Sequence, residues 1–513
     1  MTFVATTPSL VPFPESLAPA PPVHLTGMSR VVAPAGLQRE AQCLANAIAA
    51  RTGLELVVTD SADMTSGDIV FRLETDAPLS VEAYRIDTTD GVVEVTAFAS
   101  AGAFWAAQTV RQLLSHDHDG WFITGARIAD APRYAYRGVM LDVARHFFGV
   151  DDVKRYIDAM SGYKYNVLHL HLTDDQGWRL QSESFPQLTE KASATAALGD
   201  RGGFYTQADY AEIVAYAASR HMTVVPEIDV PGHTHAVTVA YPEFTKPTAI
   251  MDSVTDTAKL FQQDLPIHGE SYVGWCVGFS SLKIDDPATD AFVREIFREV
   301  AAATPGPYVH LGGDESLGTT DEDFAAFIAM ASRAVAETGK TPIAWHEAGK
   351  APGLAAGTIG QYWGYLQPQP GYDDEARAFV TNGGSLILSP ADVSYLDMKP
   401  TADHPLGLIW ANGPTSVESA YTWEPTDIIS GVPASAIIGV EAPLWTESAR
   451  TMDDVFTLAF PRAAAVAEIA WSPQDAPERT WDSFRARVAS HASAWQSEGI
   501  TFHNSEEISW IPA

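Results

Sequence analysis

The chain reads as an α/β protein: a (β/α)8 TIM barrel preceded by a small α/β domain. Two observations carry this reading. From about residue 134, eight short apolar runs alternate with helical patterns, as expected of parallel strands joined by crossover helices. Before that point the grain is different, with two strands flanking an Asp90-Gly91 turn and a helical pattern on either side of them. Neither a GxGxxG nor a GxxxxGK[ST] turn occurs, which favours a closed barrel over an open nucleotide-binding sheet.

In the first unit, residues 1–132, apolar side chains recur at helical spacing over 37–50 and again over 101–114, which carries Trp105. Between them, 83–99 alternates about the Asp-Gly turn. The HDHDG run at 116–120 and Pro132 mark the expected boundary. The second unit, 133–513, is expected to hold the barrel and its C-terminal helices. Its strands are predicted at 138–143, 167–172, 223–228, 308–312, 341–345, 358–363, 385–388 and 436–440. Helices are predicted at 153–163, 208–219, 290–303, 323–337 and 375–382, with a last one starting near Asp453. The stretch 234–288 is too long for an ordinary connection and is expected to border the cleft.

Composition narrows the partners. The 513 residues include 65 acidic and 32 basic side chains, a formal charge of −33, and 46% are apolar. A chain of this kind buries enough apolar surface to fold, and it offers no basic footprint for nucleic acid or anionic lipid. No apolar run reaches the ~18 residues of a membrane span. The Pro-rich N-terminus lacks the basic region of a signal peptide, so a cytoplasmic location is expected unless a leader has been removed. Cys43 and Cys276, far apart in sequence, read as free thiols.

In a barrel the chemistry belongs at the C-terminal ends of strands. The residues that follow the apolar runs are unusually polar. The first run has Arg137 at its start and Asp142 and Arg145 at its end. The second ends in HLHLTDDQGWR (169–179) and the third in PEIDVPGH, with Glu227, Asp229 and His233. The fourth ends in HLGGDE, with His310, Asp314 and Glu315. The later runs end in WHE (345–347), QYW (361–363) and EAPLWTE (441–447). Asp314 and Glu315 follow two glycines, and like charges side by side keep one carboxyl protonated, the state that glycosidic-bond cleavage needs. Trp345, Trp363 and Trp445 each close a strand, and indole faces stack on the C–H faces of pyranose rings. The HxH pairs His169/His171 and His233/His235 allow a second reading, a zinc-dependent amidohydrolase.

Together, RGVMLDVARHF (137–147), HLHLTDDQGWR, EIDVPGH, HLGGDE, QYW and Tyr395-Leu-Asp397 resemble, in order and spacing, glycoside hydrolase family 20, the β-N-acetylhexosaminidases. The resemblance spans about 134–475, and the preceding unit is similar to the small domain common in that family. It implies Glu315 as general acid/base, Asp314 orienting the substrate's 2-acetamido group, and Tyr395 hydrogen-bonding the acetamido oxygen. It further implies Trp345, Trp363 and Trp445 as walls of the acetamido pocket, and Arg137, Asp397 and Glu447 as holders of sugar hydroxyls. Trp410 falls nearer the leaving group, and Asp175, Asp229 and His233 support the acid. The implied reaction is exo-acting, retaining and substrate-assisted, on glycans ending in β-linked GlcNAc or GalNAc, with no cofactor or metal. A disaccharide-releasing lacto-N-biosidase is the alternative within the family. His346 departs from the pattern, which leads one to expect an acidic residue between Trp345 and Glu347.

Overall fold

The computed structural model describes residues 8–61, 63–74 and 80–511, so the start of the Pro-rich N-terminus lies outside it. The chain forms two compact units. One comprises 1–135 with 159–164 and 463–513; the other comprises 136–158 and 165–462. The last helices, which the division at 132/133 gave to the barrel, therefore group with the N-terminal unit.

That first unit is a seven-stranded mixed sheet packed against helices Gln38–Thr52 and Ser100–Leu113. Strands Tyr84–Asp87 and Val93–Ala97 pair antiparallel about the Asp-Gly turn, as the alternation requires. The HDHDG run is no boundary: it is the tip of a hairpin between Leu114–Asp117 and Gly120–Ile123, after which Ala126–Asp130 returns to the main sheet. Trp105 and Trp471 meet edge to face in the core. Asp130 is buried there and takes hydrogen bonds from Lys164 Nζ at 2.9 Å, Trp471 Nε1 at 2.9 Å and the Tyr84 hydroxyl. The Lys164 ammonium also lies 4.3 Å from the Trp471 ring centroid, a cation–π contact that helps offset its desolvation.

The second unit is a closed barrel of eight strands, paired parallel all round. They are β1 (Tyr136–Asp142), β2 (Val167–His171), β3 (Thr223–Glu227), β4 (Tyr308–His310), β5 (Thr341–Trp345), β6 (Ile359–Tyr362), β7 (Leu386–Leu388) and β8 (Ile437–Ala442). All eight fall where the apolar runs place them. Closure occurs between β1 and β8, with Tyr136 opposite Gly439. The β7–β8 pairing shifts register at Leu386/Ile387, so that Ile438 is skipped and Gly439 lies against the backbone of Tyr136. Among the described residues no helix is long and apolar enough to cross a membrane.

The lower barrel is apolar, with Tyr136, Val167, Val225, Ile343, Ile359 and Ile387 forming one cluster. Above it the interior is polar. His169, His171, Glu227, His310 and Glu441 are all wholly buried. Glu441 accepts from Tyr136 Oη at 2.6 Å, Gln361 Nε2 at 2.7 Å and His169 Nδ1 at 2.9 Å. Glu227 accepts from Trp345 Nε1 at 2.9 Å, lies 3.1 Å from His169 Nε2, and is bonded by His171 Nδ1. Burial alone would lower both imidazoles. The carboxylates Glu441 and Glu227 outweigh it and hold His169 at about 9; Glu227 and Asp174 hold His171 at about 10. His310 goes the other way: burial lowers it more than Glu227 raises it, and its neutral ring stacks on His169 at 4.7 Å.

Two expectations follow. A Cβ at Gly439 would stand 1.8 Å from the Tyr136 carbonyl oxygen, so Gly439→Ala must part the closing strands; a loss of about 1–3 kcal/mol or more is expected, read from the urea midpoint. The raised His169 and His171 contribute stability that is complete below the unfolded imidazole pKa of ~6.5. It is lost as pH rises toward about 9 for His169 and about 10 for His171. The thermal midpoint should fall across that window, and His169→Gln should flatten the fall.

Candidate active site

The barrel's C-terminal mouth opens into a cleft of about 690 Å³. The loop after β4 builds its centre. Gly312 and Gly313 both have positive φ, and a Cβ on Gly312 would stand 1.8 Å from Asp229 Oδ1, so only glycine lets the loop after β3 approach this closely. Gly313 N donates to Asp229 Oδ1 at 3.0 Å, which clamps the two loops together. Glu315 itself has φ +44° and His233 φ +53°, left-handed conformations that cost about 1–3 kcal/mol each in a non-glycine residue. The strain delivers both side chains to the cleft wall, where Asp314 joins them.

His233 is the hub. Its Nε2 lies 3.4 Å from Glu315 Oε2 and 3.7 Å from Asp314 Oδ2, and its Nδ1 is 3.1 Å from Asp174 Oδ1. Burial acts to lower His233, but Asp174 and Asp314 outweigh it and hold the ring well above its ordinary value, so it is an imidazolium at neutral pH. Asp229 is pushed well above the carboxylate range by burial and by Asp314. Asp314 is raised as well, through burial, although His233 opposes the shift. Asp314 Oδ1, buried, has no hydrogen-bond partner among the described residues.

Behind the hub, the two aspartates of TDDQ divide their work. Asp174 is the closer to His233 and also receives Arg145 Nη2 at 2.9 Å and His171 Nε2 at 2.7 Å. Asp175 stands 4.0 Å from His233 and instead accepts from His235 N at 2.9 Å and Ser280 Oγ at 2.5 Å, pinning the loop that carries the hub.

Aromatic side chains form the rest of the wall. Trp363, Tyr395, Trp410 and Trp445 line the cleft; Trp410 stands edge-on to Trp363 at 6.0 Å and to Tyr395 at 5.8 Å. Trp345 is fully buried behind them, 6.0 Å from Trp445 and bonded to Glu227. Trp363 is held by Glu347, which accepts from its Nε1 at 2.8 Å; burial and Asp314 push Glu347 well above the carboxylate range. His346, between them, is lowered to about 3 by burial, stays neutral and packs on Tyr372 at 4.6 Å. Tyr395 is pushed well above its ordinary value by burial and by Asp397.

Glu447 lines the cleft, and burial raises it against the pull of Arg145. Asp397 lies behind Trp445, whose backbone N is 3.4 Å from Oδ1, and its buried Oδ2 lacks a partner among the described residues. Arg137 is not at this site. It is the second residue of β1, paired across to Asn166 and Val440 at the opposite end of the strand from Asp142. The arginine in the cleft is Arg145, braced by Asp174 and Asp142 and 4.9 Å from the Trp445 ring. Its place three residues beyond a strand end was the available signal, and the site rule for barrels favours it over a residue at a strand start.

The HxH pairs share one carboxylate, Asp174, through His171 and His233, but their four rings do not gather. His169 and His171 face the barrel interior with each ring nitrogen opposite a carboxylate, and His233 faces the cleft. His235 turns away, its Nε2 2.8 Å from the Glu270 carbonyl. Among the described residues the two pairs therefore do not form one ligand set, as the zinc alternative drawn from the sequence would require.

The family model for the glycosyl hydrolase family 20 catalytic domain matches residues 134–320 and 316–474, and that for the family's domain 2 matches 7–131. A β-N-acetylhexosaminidase of Cellulomonas fimi is 43% identical over 444 residues, covering 86% of this chain and 84% of that protein. The solved N-acetyl-β-hexosaminidase of Streptomyces plicatus in complex with Thio-NAglucal superposes with a TM-score of 0.89 at 42% identity over 98% of both chains. A family 20 β-N-acetylglucosaminidase superposes with a TM-score of 0.88 at 50% identity, covering 98% of this chain and all of the other. A barrel with carboxylates and aromatic side chains at its mouth, matched along its whole length in this way, places the chain in glycoside hydrolase family 20 and makes it a glycoside hydrolase.

Proposed function

We propose that the chain is an exo-acting, retaining β-N-acetylhexosaminidase that removes terminal β-linked GlcNAc or GalNAc by substrate-assisted catalysis. The observation that carries this reading is the pairing of Asp314 and Glu315 on one imidazolium beside an aromatic cage. Glu315 gives its proton to the glycosidic oxygen as the C1–O bond breaks. The substrate's acetamido carbonyl oxygen supplies the electron pair to C1 and closes an oxazolinium ring. Asp314 accepts the acetamido N–H and, as an anion in a water-poor cleft, offsets the developing positive charge. Tyr395 donates to the acetamido oxygen. Water then attacks C1, its proton passing to Glu315, and the ring opens with overall retention.

Trp363 and Trp445 wall the acetamido pocket in this reading, backed by the buried Trp345, and Glu347 holds Trp363 in place. Arg145, Glu447 and Asp397 take the hydroxyls of the terminal sugar. A guanidinium fork suits two vicinal hydroxyls, and Asp174 and Asp142 fix its direction. His233 holds Glu315, and Asp229, the protonated neighbour, keeps Asp314 oriented. Solved relatives support the reading, since Streptomyces plicatus variants at 42% identity hold the product GlcNAc.

Turnover of aryl β-GlcNAc and β-GalNAc tests the roles. Glu315→Gln is expected to lose about 10²–10⁴-fold in kcat on substrates with poorly acidic leaving groups and far less on 2,4-dinitrophenyl glycosides. Asp314→Asn should weaken inhibition by a thiazoline mimic of the cyclised intermediate; wild-type enzyme indifferent to that mimic would overturn the acetamido mechanism. Arg145→Gln should lower kcat/KM at least tenfold, whereas Arg137→Gln, judged by kinetics on correctly folded protein, should alter stability more than KM.

A further inference from the structure

Behind the aromatic wall, a short chain of polar side chains runs from the cleft to the outer surface of the barrel. Trp345 closes β5, and the tight turn His346–Lys350 follows it at once. Gly349 lets that turn meet helix Tyr372–Thr381, since a Cβ there would stand 2.0 Å from the Glu375 carbonyl oxygen. The contact sets His346 between two carboxyl groups. Its Nδ1 lies 3.4 Å from Glu347 Oε2, the oxygen that accepts from Trp363 Nε1, and its Nε2 lies 3.9 Å from Glu375 Oε2. Lys350 Nζ stands 3.3 Å from the other oxygen of Glu375 and is 43% exposed. Tyr362, Trp363 and Tyr372 enclose the imidazole, with ring centroids at 5.0, 5.5 and 4.6 Å. Both nitrogens of His346 and Oε2 of Glu375 are buried without a hydrogen-bond partner among the described residues, although buried polar atoms ordinarily have one.

We infer that His346, set in place by Glu375, is a positioning residue: it fixes the Glu347 carboxyl that holds Trp363, and thereby how closely the acetamido wall fits the N-acyl group. The inference rests on the reading above, because Trp363 bounds an acyl group only if a 2-acetamido sugar occupies the cleft. A neutral imidazole has one N–H and one lone pair, so it serves two carboxyl groups only when one donates to it and the other accepts from it. Burial, with Lys350 adding to it, keeps the ring neutral; burial and Asp314 push Glu347 well above the carboxylate range. Burial raises Glu375 too, but Lys350 opposes that rise. The polarity therefore runs one way: Glu347 offers its proton to Nδ1, and Nε2–H points to Glu375, anchored by Lys350. An apolar ring of the same size would fill the volume but leave the Glu347 carboxyl to turn about its last bond, loosening the indole it holds.

The test measures kcat and KM on 4-nitrophenyl β-GlcNAc and its N-propionyl and N-butyryl analogues for wild type, His346→Phe, His346→Asn and Glu375→Gln. In His346→Phe the KM for the N-acetyl substrate should rise about fivefold, and the kcat/KM preference for N-acetyl over N-butyryl should fall by about the same factor. His346→Asn keeps a polar group where Nδ1 stands and should recover most of both. Glu375→Gln, at a side chain only 12% exposed but remote from the cleft, should give the same change at smaller amplitude. An N-acyl preference unchanged in His346→Phe, or equal damage in His346→Phe and His346→Asn, makes the ring mere packing and overturns the inference. Protein labelled with 5-fluorotryptophan reads the wall without turnover. The Trp363 resonance, identified by its loss in Trp363→Phe, should shift or broaden in His346→Phe and return in His346→Asn. If wild type cleaves no N-acylated substrate, the proposed reaction fails instead. The Trp363 resonance then decides the positioning role: a change in His346→Phe sustains it, and an unaltered line overturns it.

Discussion

Two carboxylates without access to water, Glu227 and Glu441, occupy the upper interior of the barrel, and the way they are compensated shapes everything above them. An unpaired charge there would cost several kcal/mol, and removing one partner of such a pair typically costs about 3–5 kcal/mol. The compensation is an alternation of carboxylate and imidazole that runs from Glu441 through His169, Glu227, His171, Asp174 and His233 to Glu315. Each member is a neighbour's counter-charge. The barrel core and the cleft are thus one electrostatic unit, and Glu315 is its solvent end.

Two consequences follow for the mouth. Because His233 is kept charged by Asp174 on one nitrogen, its other nitrogen is committed to the Asp314–Glu315 side. That holds two strained backbone positions in place, His233 and Glu315, whose left-handed conformations are sustained by the close approach of Gly312 to Asp229. The second consequence is graded desolvation. Burial pushes Asp229, Glu347 and Asp397 well above the carboxylate range and raises Glu447, which favours neutral carboxyl groups around the cage over a concentration of negative charge. Such groups can both donate to and accept from a neutral sugar.

Much of this was legible in the residue order. The eight apolar runs lie where the strands lie, since a buried parallel strand needs a continuous apolar stretch whatever surrounds it. Asp314, Glu315, Trp363, Trp445 and His233 do meet in one cleft, with Trp345 buried behind it. Arg137 was misplaced, and Arg145 passed over, because two arginines eight residues apart in one motif look alike until the strand's direction assigns one to each end. The HDHDG run looked like a linker because turn residues punctuate a hairpin and a domain boundary equally well. His310, Glu227 and Glu441 stand near strand ends yet belong to the core, because alternation along a strand separates inside from outside but not core from mouth.

What the sequence by itself determined is the alternation of strand and helix, the membership of a family and the adjacent carboxylates Asp314 and Glu315 at a strand end. These are local patterns, written in spacing and composition within tens of residues. Only the tertiary structure decided which carboxylate serves which imidazole, since the partners are 272 residues apart for His169 and Glu441 and 59 for His233 and Asp174. It also decided that Asp174, not its neighbour, touches the hub, and that the last helices group with the N-terminal unit. The physical reason is the same throughout. Burial and charge pairing act through space on whatever barrel closure brings together, and closure joins the first strand to the last.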